Sequence, residues 1–107
     1  MAVTLTSPAV LPRVVNTTLG LANIVTVVTF PVGEGWSISF QPRATAAKLA
    51  DASNTALTDG GALGAVDVLT LQADRLTAID LSSNTSGTLY LASATASQVV
   101  EITLDRG

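Results

Sequence analysis

Trp36-Ser-Ile-Ser-Phe40 sets the fold class: three large apolar side chains alternate with two serines. That period of two puts Trp36, Ile38 and Phe40 on one face of a β-strand, toward a core, and the serines on the other. Just upstream, Asn23-Ile-Val-Thr-Val-Val-Thr-Phe30 is dense in β-branched residues, whose stiff side chains suit an extended backbone better than a helix. Pro31-Val-Gly-Glu-Gly35 separates the two with ladder-breaking and turn-forming residues. Together the segments predict a β-hairpin.

The second half continues in the same style. Val66-Asp-Val-Leu-Thr-Leu71, Leu76-Thr-Ala-Ile-Asp-Leu81, Thr88-Leu-Tyr-Leu-Ala92 and Gln98-Val-Val-Glu-Ile-Thr-Leu104 are each short and followed by turn residues. In Ser82-Ser-Asn-Thr-Ser-Gly87 the small polar side chains can bond their own backbone, and Gly87 is expected to take a positive φ. Val100, Ile102 and Leu104 share the buried face of the last strand, opposite Val99, Glu101 and Thr103. Ala44-Thr-Ala-Ala-Lys-Leu-Ala50 mixes a helix-favouring composition with strand length, and we read it as a strand. Residues 51–65, rich in Ala, Gly, Ser, Thr and Asn, are expected to be a surface loop. Several close-spaced strands with no helix pattern predict an all-β chain: a single antiparallel β-sandwich, of jelly-roll or immunoglobulin-like topology.

Composition narrows the function. Of 107 residues 48% are apolar and only 12% charged, with no histidine and no cysteine, whereas ordinary soluble proteins carry roughly a quarter charged residues. Mean hydropathy is +0.50. A short chain keeps much of its surface exposed, so part of this exterior is expected to be covered by companions in a homo-oligomer or larger assembly. The net charge of -3, with Arg13, Arg43, Lys48, Arg75 and Arg106 scattered singly, argues against nucleic acid, which needs clustered cations. No run approaches the ~20 apolar residues of a membrane span. The N-terminus lacks the basic and apolar regions of a secretory signal, so export by that route is not expected and the chain is expected to be made in a host cytoplasm.

Residues 1–15 are expected to form an extended arm ahead of a sandwich over 16–107. Pro8 and Pro12 hold the segment extended, yet Val3, Leu5, Val10 and Leu11 are too apolar for a free tail. The arm either lies along its own domain as an edge strand or crosses to a neighbour. On the second reading Val3, Leu5, Val10, Leu11 and Arg13 bind a partner, and residues 1–13 are dispensable for folding. Tyr90, flanked by Leu89 and Leu91 on the other face, is the candidate exposed aromatic of a subunit contact.

Catalytic chemistry finds little to work with. Without histidine there is no Ser-His-Asp triad and no imidazole metal site. Glu34, Asp51, Asp59, Asp67, Asp74, Asp80, Glu101 and Asp105 are spread singly, which reads as solubility rather than as a paired-carboxylate site. Asp51-Ala-Ser-Asn54 and Thr58-Asp-Gly60 lack the spacing and closing Glu of a calcium loop. Gly60-Gly-Ala-Leu-Gly64 has no following Lys to make a phosphate loop. We therefore expect no enzyme, cofactor or metal. A carbohydrate-binding module using Tyr90 with loop residues around Asn54 and Asn84 is an alternative.

In style, Gly33-Glu-Gly-Trp-Ser-Ile-Ser-Phe40, the Ala/Thr/Ser/Gly-rich middle, Ser86-Gly-Thr-Leu-Tyr-Leu91 and Val99-Val-Glu-Ile-Thr-Leu104 resemble the small all-β structural proteins of tailed bacteriophage virions. The resemblance implies a capsid decoration (cement) protein, often trimeric, that binds the major capsid protein on the outside of the head. Alternatively it implies a module of a neck, tail fibre or baseplate. It carries no catalytic residue with it.

Overall fold

The computed structural model describes residues 2–6, 11–54 and 56–106, and every regular element among them is a β-strand. These are β1 (Val3–Thr4), β2 (Arg13–Leu19), β3 (Thr26–Thr29), β4 (Trp36–Pro42), β5 (Ala47–Ala50), β6 (Leu69–Leu71), β7 (Thr77–Asp80), β8 (Thr88–Ala92) and β9 (Gln98–Arg106). They form a five-stranded sheet, β1-β3-β8-β5-β6, and a four-stranded sheet, β2-β9-β4-β7. All neighbours are antiparallel except β1 and β3.

The pairings nest: β2 with β9, β3 with β8, β4 with β7, β5 with β6. A single ribbon of antiparallel pairs has been rolled so that its two halves face each other, which is the jelly roll. This decides between the two topologies left open by the sequence.

The expected hairpin of residues 23–30 and 36–40 does not form, because β3 and β4 lie in opposite sheets. Each buries its apolar face in the shared core but takes its backbone partner from a strand distant in sequence, β3 from β8 and β4 from β9 and β7. Residues 31–35 carry the chain across the sandwich, with Gly33 and Gly35 at φ 124 and 82 and the Gly33 amide donating to the Leu81 carbonyl at 3.1 Å. Trp36, Ile38 and Phe40 point inward as expected and meet Val100, Ile102 and Leu104 of β9 and Val28, Leu49, Leu71 and Leu91 of the other sheet. Gly87 also plays a different part from the one expected. Its φ is not positive, and the reason for glycine is close approach. The Phe30 amide donates to its carbonyl at 2.8 Å, and a Cβ there would overlap the Phe30 carbonyl oxygen.

Pro42 sits in β4, between β9 and β7, a position that normally excludes proline. It is tolerated because the β7 ladder ends at Phe40. Its nitrogen, which has no proton to donate, faces away from β9, while its carbonyl accepts from the Asp74 amide at 2.7 Å.

The expected surface loop after β5 is a folded lid. It pairs with residues 23–25: the Val25 amide donates to Gly61, the Gly60 amide to Val25 and the Leu63 amide to Asn23, at 2.8–2.9 Å. Leu57 and Leu63 pack with Val25, Ala50 and Ala92 into a second small core on the outer face of the five-stranded sheet. A face that would otherwise present apolar residues to water is thereby covered from within.

The total accessible surface is 5698 Å², close to the ~5,500 Å² expected of a self-contained monomer of this mass. Much of the apolar surplus is absorbed internally. Low charge outside is matched by hydroxyls, since 24 of the 107 residues are Ser or Thr.

Candidate functional site

The large apolar side chains left exposed among the described residues are Val14, Leu21, Val68, Leu69 and Leu76. Their placement follows the strand order. Val14 lies on β2 and Leu21 just beyond it, on the flank where β1 and β2 are the edge strands. Val68 and Leu69 belong to β6 and its approach, and Leu76 opens β7, on the opposite flank.

On the β6/β7 flank the sheets do not close over their own core. A groove of about 520 Å³ is lined by Leu49, Val68, Leu69, Ile79 and Leu89, with Asp51, Asp67 and Asn84 completing its wall. Alternation explains its floor. Leu69 is on the inward face of β6, being paired with Leu49, yet at the end of a three-residue strand it is 52% exposed. Two smaller polar hollows adjoin it and share Asp51, one reaching Ser53 and Asn54 and the other Ser83, Asn84 and Ser86. Asp51 is oriented by its own turn, with one carboxylate oxygen accepting from the Ser53 amide at 3.1 Å and hydroxyl at 2.5 Å. The groove is thus an apolar slot with acidic and amide groups at its rim.

Of the side chains assigned to partner binding, Leu5 is 3% exposed and Val3 and Leu11 are half-buried against the same core. The Leu5 amide continues the β1–β3 ladder by donating to Thr29 at 2.7 Å. The first part of the arm is therefore an edge strand of its own sheet, and Leu5 offers no surface to a neighbour in this state. Val10 lies outside the described residues. Arg13 is exposed, but it begins β2, so residues 13–15 belong to the sandwich. Tyr90 is half-buried on the outer face of β8, packed on the second core and paired with Ala50, whereas Asn54 and Asn84 each line a hollow that includes Asp51.

Elsewhere the polar groups tie the fold together. Arg43 pairs with Glu101 at 2.5 Å, Arg106 stands 5.3 Å from the Trp36 ring centroid, and Gln98, buried, accepts from the Thr45 hydroxyl and donates to the Arg43 and Val99 carbonyls. Hydrogen bonds from the Ser82 hydroxyl and amide hold the Asp80 carboxyl below its ordinary value of 3.8. Among the described residues no three metal-ligating side chains cluster, and no helix is long and apolar enough to cross a membrane.

The groove was not readable from the sequence. Its wall comes from positions 49, 51, 67–69, 79, 84 and 89, which only the rolled topology assembles. Comparison with known protein families, curated proteins and solved structures returns no match.

Proposed function

We propose that the chain is a virion structural protein that acts by binding rather than catalysis, as a decoration protein on the outer surface of a capsid. The observation that carries this reading is the open β6/β7 flank, where Leu69 and Val68 border an apolar slot in a molecule whose exterior is sparsely charged and rich in small hydroxyls. Low charge permits close, salt-insensitive packing against a neighbour. A module that attaches only to the assembled shell shifts the equilibrium toward assembly by mass action.

The test is sedimentation with empty heads built from the accompanying major capsid protein. The wild-type chain should pellet with heads, and Leu69→Asp, which puts a charge into the slot at an already exposed position, should reduce the pelleted fraction at least tenfold. Equal attachment by the variant would move the contact elsewhere. Labelling confined to one vertex or to the tail tip would favour a neck, fibre or baseplate module instead.

One observation favours a second reading: Asn54, Asn84 and Asp51 converge on adjoining polar hollows, as a carbohydrate site requires. Glycan-array binding lost on Asn84→Ala would support it.

A further inference from the structure

The opposite flank presents a long strand edge. β2 is a seven-residue strand in continuous register with β9, from Arg13↔Leu104 to Leu19↔Gln98, and it is the outermost strand of its sheet. The other edges are two, three and four residues long. Natural proteins blunt long edges with charges, proline or bulges, because a free row of N–H and C=O groups templates another strand. Among positions 13–19 only Arg13 is charged, none is proline, and the register shows no bulge.

Hydrogen-bond alternation identifies the free groups. The Arg43 amide donates to the Val99 carbonyl at 2.9 Å, so Val99 turns toward the β4 side. Strand periodicity then sends Glu101 and Thr103 the same way, and turns Gln98, Val100, Ile102 and Leu104 toward β2. Their partners Leu19, Thr17, Val15 and Arg13 are committed to β9. The N–H and C=O groups of Val14, Asn16 and Thr18 therefore point outward, and among the described residues nothing bonds them. Val14, on the same outer face, is 60% exposed.

We infer that β2 pairs antiparallel with β2 of a second copy about a two-fold axis at Asn16, joining two four-stranded sheets into one. In that register Asn16 faces Asn16 of the second copy, Val14 faces its Thr18, and the outward amides and carbonyls of each copy satisfy those of the other. The lone charge, Arg13, faces Leu19 across the axis, so no like charges meet. The contact is isologous and closes at two, giving a dimer where the family resemblance suggests a trimer. Both grooves stay open, on the far flanks.

The test is analytical ultracentrifugation of the isolated full-length chain across micromolar to millimolar concentration, with amide hydrogen exchange on the same samples. The expected result is a mass rising from 10.8 kDa to twice that, with the amides of Val14, Asn16 and Thr18 becoming protected over the same range. Asn16→Pro removes an N–H that β9 does not use, and Asn16→Lys sets two cations face to face on the axis. Each should weaken association at least tenfold while leaving the thermal midpoint of the monomer within a few degrees. If Asn16→Pro misfolds, Asn16→Lys still decides. A chain monomeric at millimolar concentration, a trimer, or a dimer insensitive to Asn16→Lys would overturn the inference. Since no head is present in the assay, that failure would leave the capsid reading intact.

Discussion

Thr17→Val should make this protein more stable. Thr17 lies on the inward face of β2 between Val15 and Leu19, is 7% exposed, and its hydroxyl oxygen has no hydrogen-bond partner among the described residues. A buried polar group without a partner costs about 1–3 kcal/mol in desolvation. Valine has nearly the same shape, favours strands and removes the orphan group. The expected gain is about 2 kcal/mol, equivalent at roughly 4–8 °C per kcal/mol to a rise in Tm of about 8–16 °C. With a urea slope of about 1–2 kcal/mol per molar, the midpoint should rise by about 1 M or more at unchanged slope. The control is Thr18→Val, whose side chain points to solvent from the same strand and should change stability by less than about 0.5 kcal/mol. A Thr17→Val midpoint equal to or below wild type would refute the reasoning, because it would mean that the hydroxyl is satisfied in solution.

Gly87→Ala should destabilise by about 2–4 kcal/mol, combining overpacking against the Phe30 carbonyl with loss of a strand-end hydrogen bond; a urea titration that shows less than about 0.5 kcal/mol would contradict the close approach. Leu5→Ala should cost about 2–5 kcal/mol as a core truncation, and the same melt should show that removal of residues 1–13 lowers stability, against the expectation that they are dispensable for folding. The depressed Asp80 value means that its carboxylate favours the folded state at pH above 3.8, a contribution lost as pH falls through the lower folded-state value. Ser82→Ala should therefore lose less stability than wild type on acidification through that window, measured by denaturant melts at each pH. Equal acid sensitivity would remove Ser82 as the cause.

How much of this was legible in the sequence depends on the range of the physics involved. Alternation in Trp36–Phe40 and Val100–Leu104 is local, and both runs face the core as read. Thr88–Ala92 was likewise found at its full extent as β8. The partners of each strand were not legible, because the nested pairing of β2 with β9 and β3 with β8 is a property of the whole ribbon. The same limit explains the false hairpin: short separation and turn residues at 31–35 fit a crossing between sheets as well as a tight return. Residues 51–65 look polar by composition, and their two leucines gave little sign that they cap a second core. The partner residues proposed from the arm were chosen for apolarity, and for Leu5 that apolarity serves its own core. Leu69 and Asn16, by contrast, take their interest only from lying at an open flank and on a free edge.

Cryo-electron microscopy of empty heads incubated with the full-length chain tests the central claim most directly. The account predicts ordered density for the jelly roll over the outer shell, with the β6/β7 flank against the capsid lattice and greater resistance of decorated heads to heat. Bare shells after incubation at saturating concentration, with the chain left wholly in the supernatant, would contradict it.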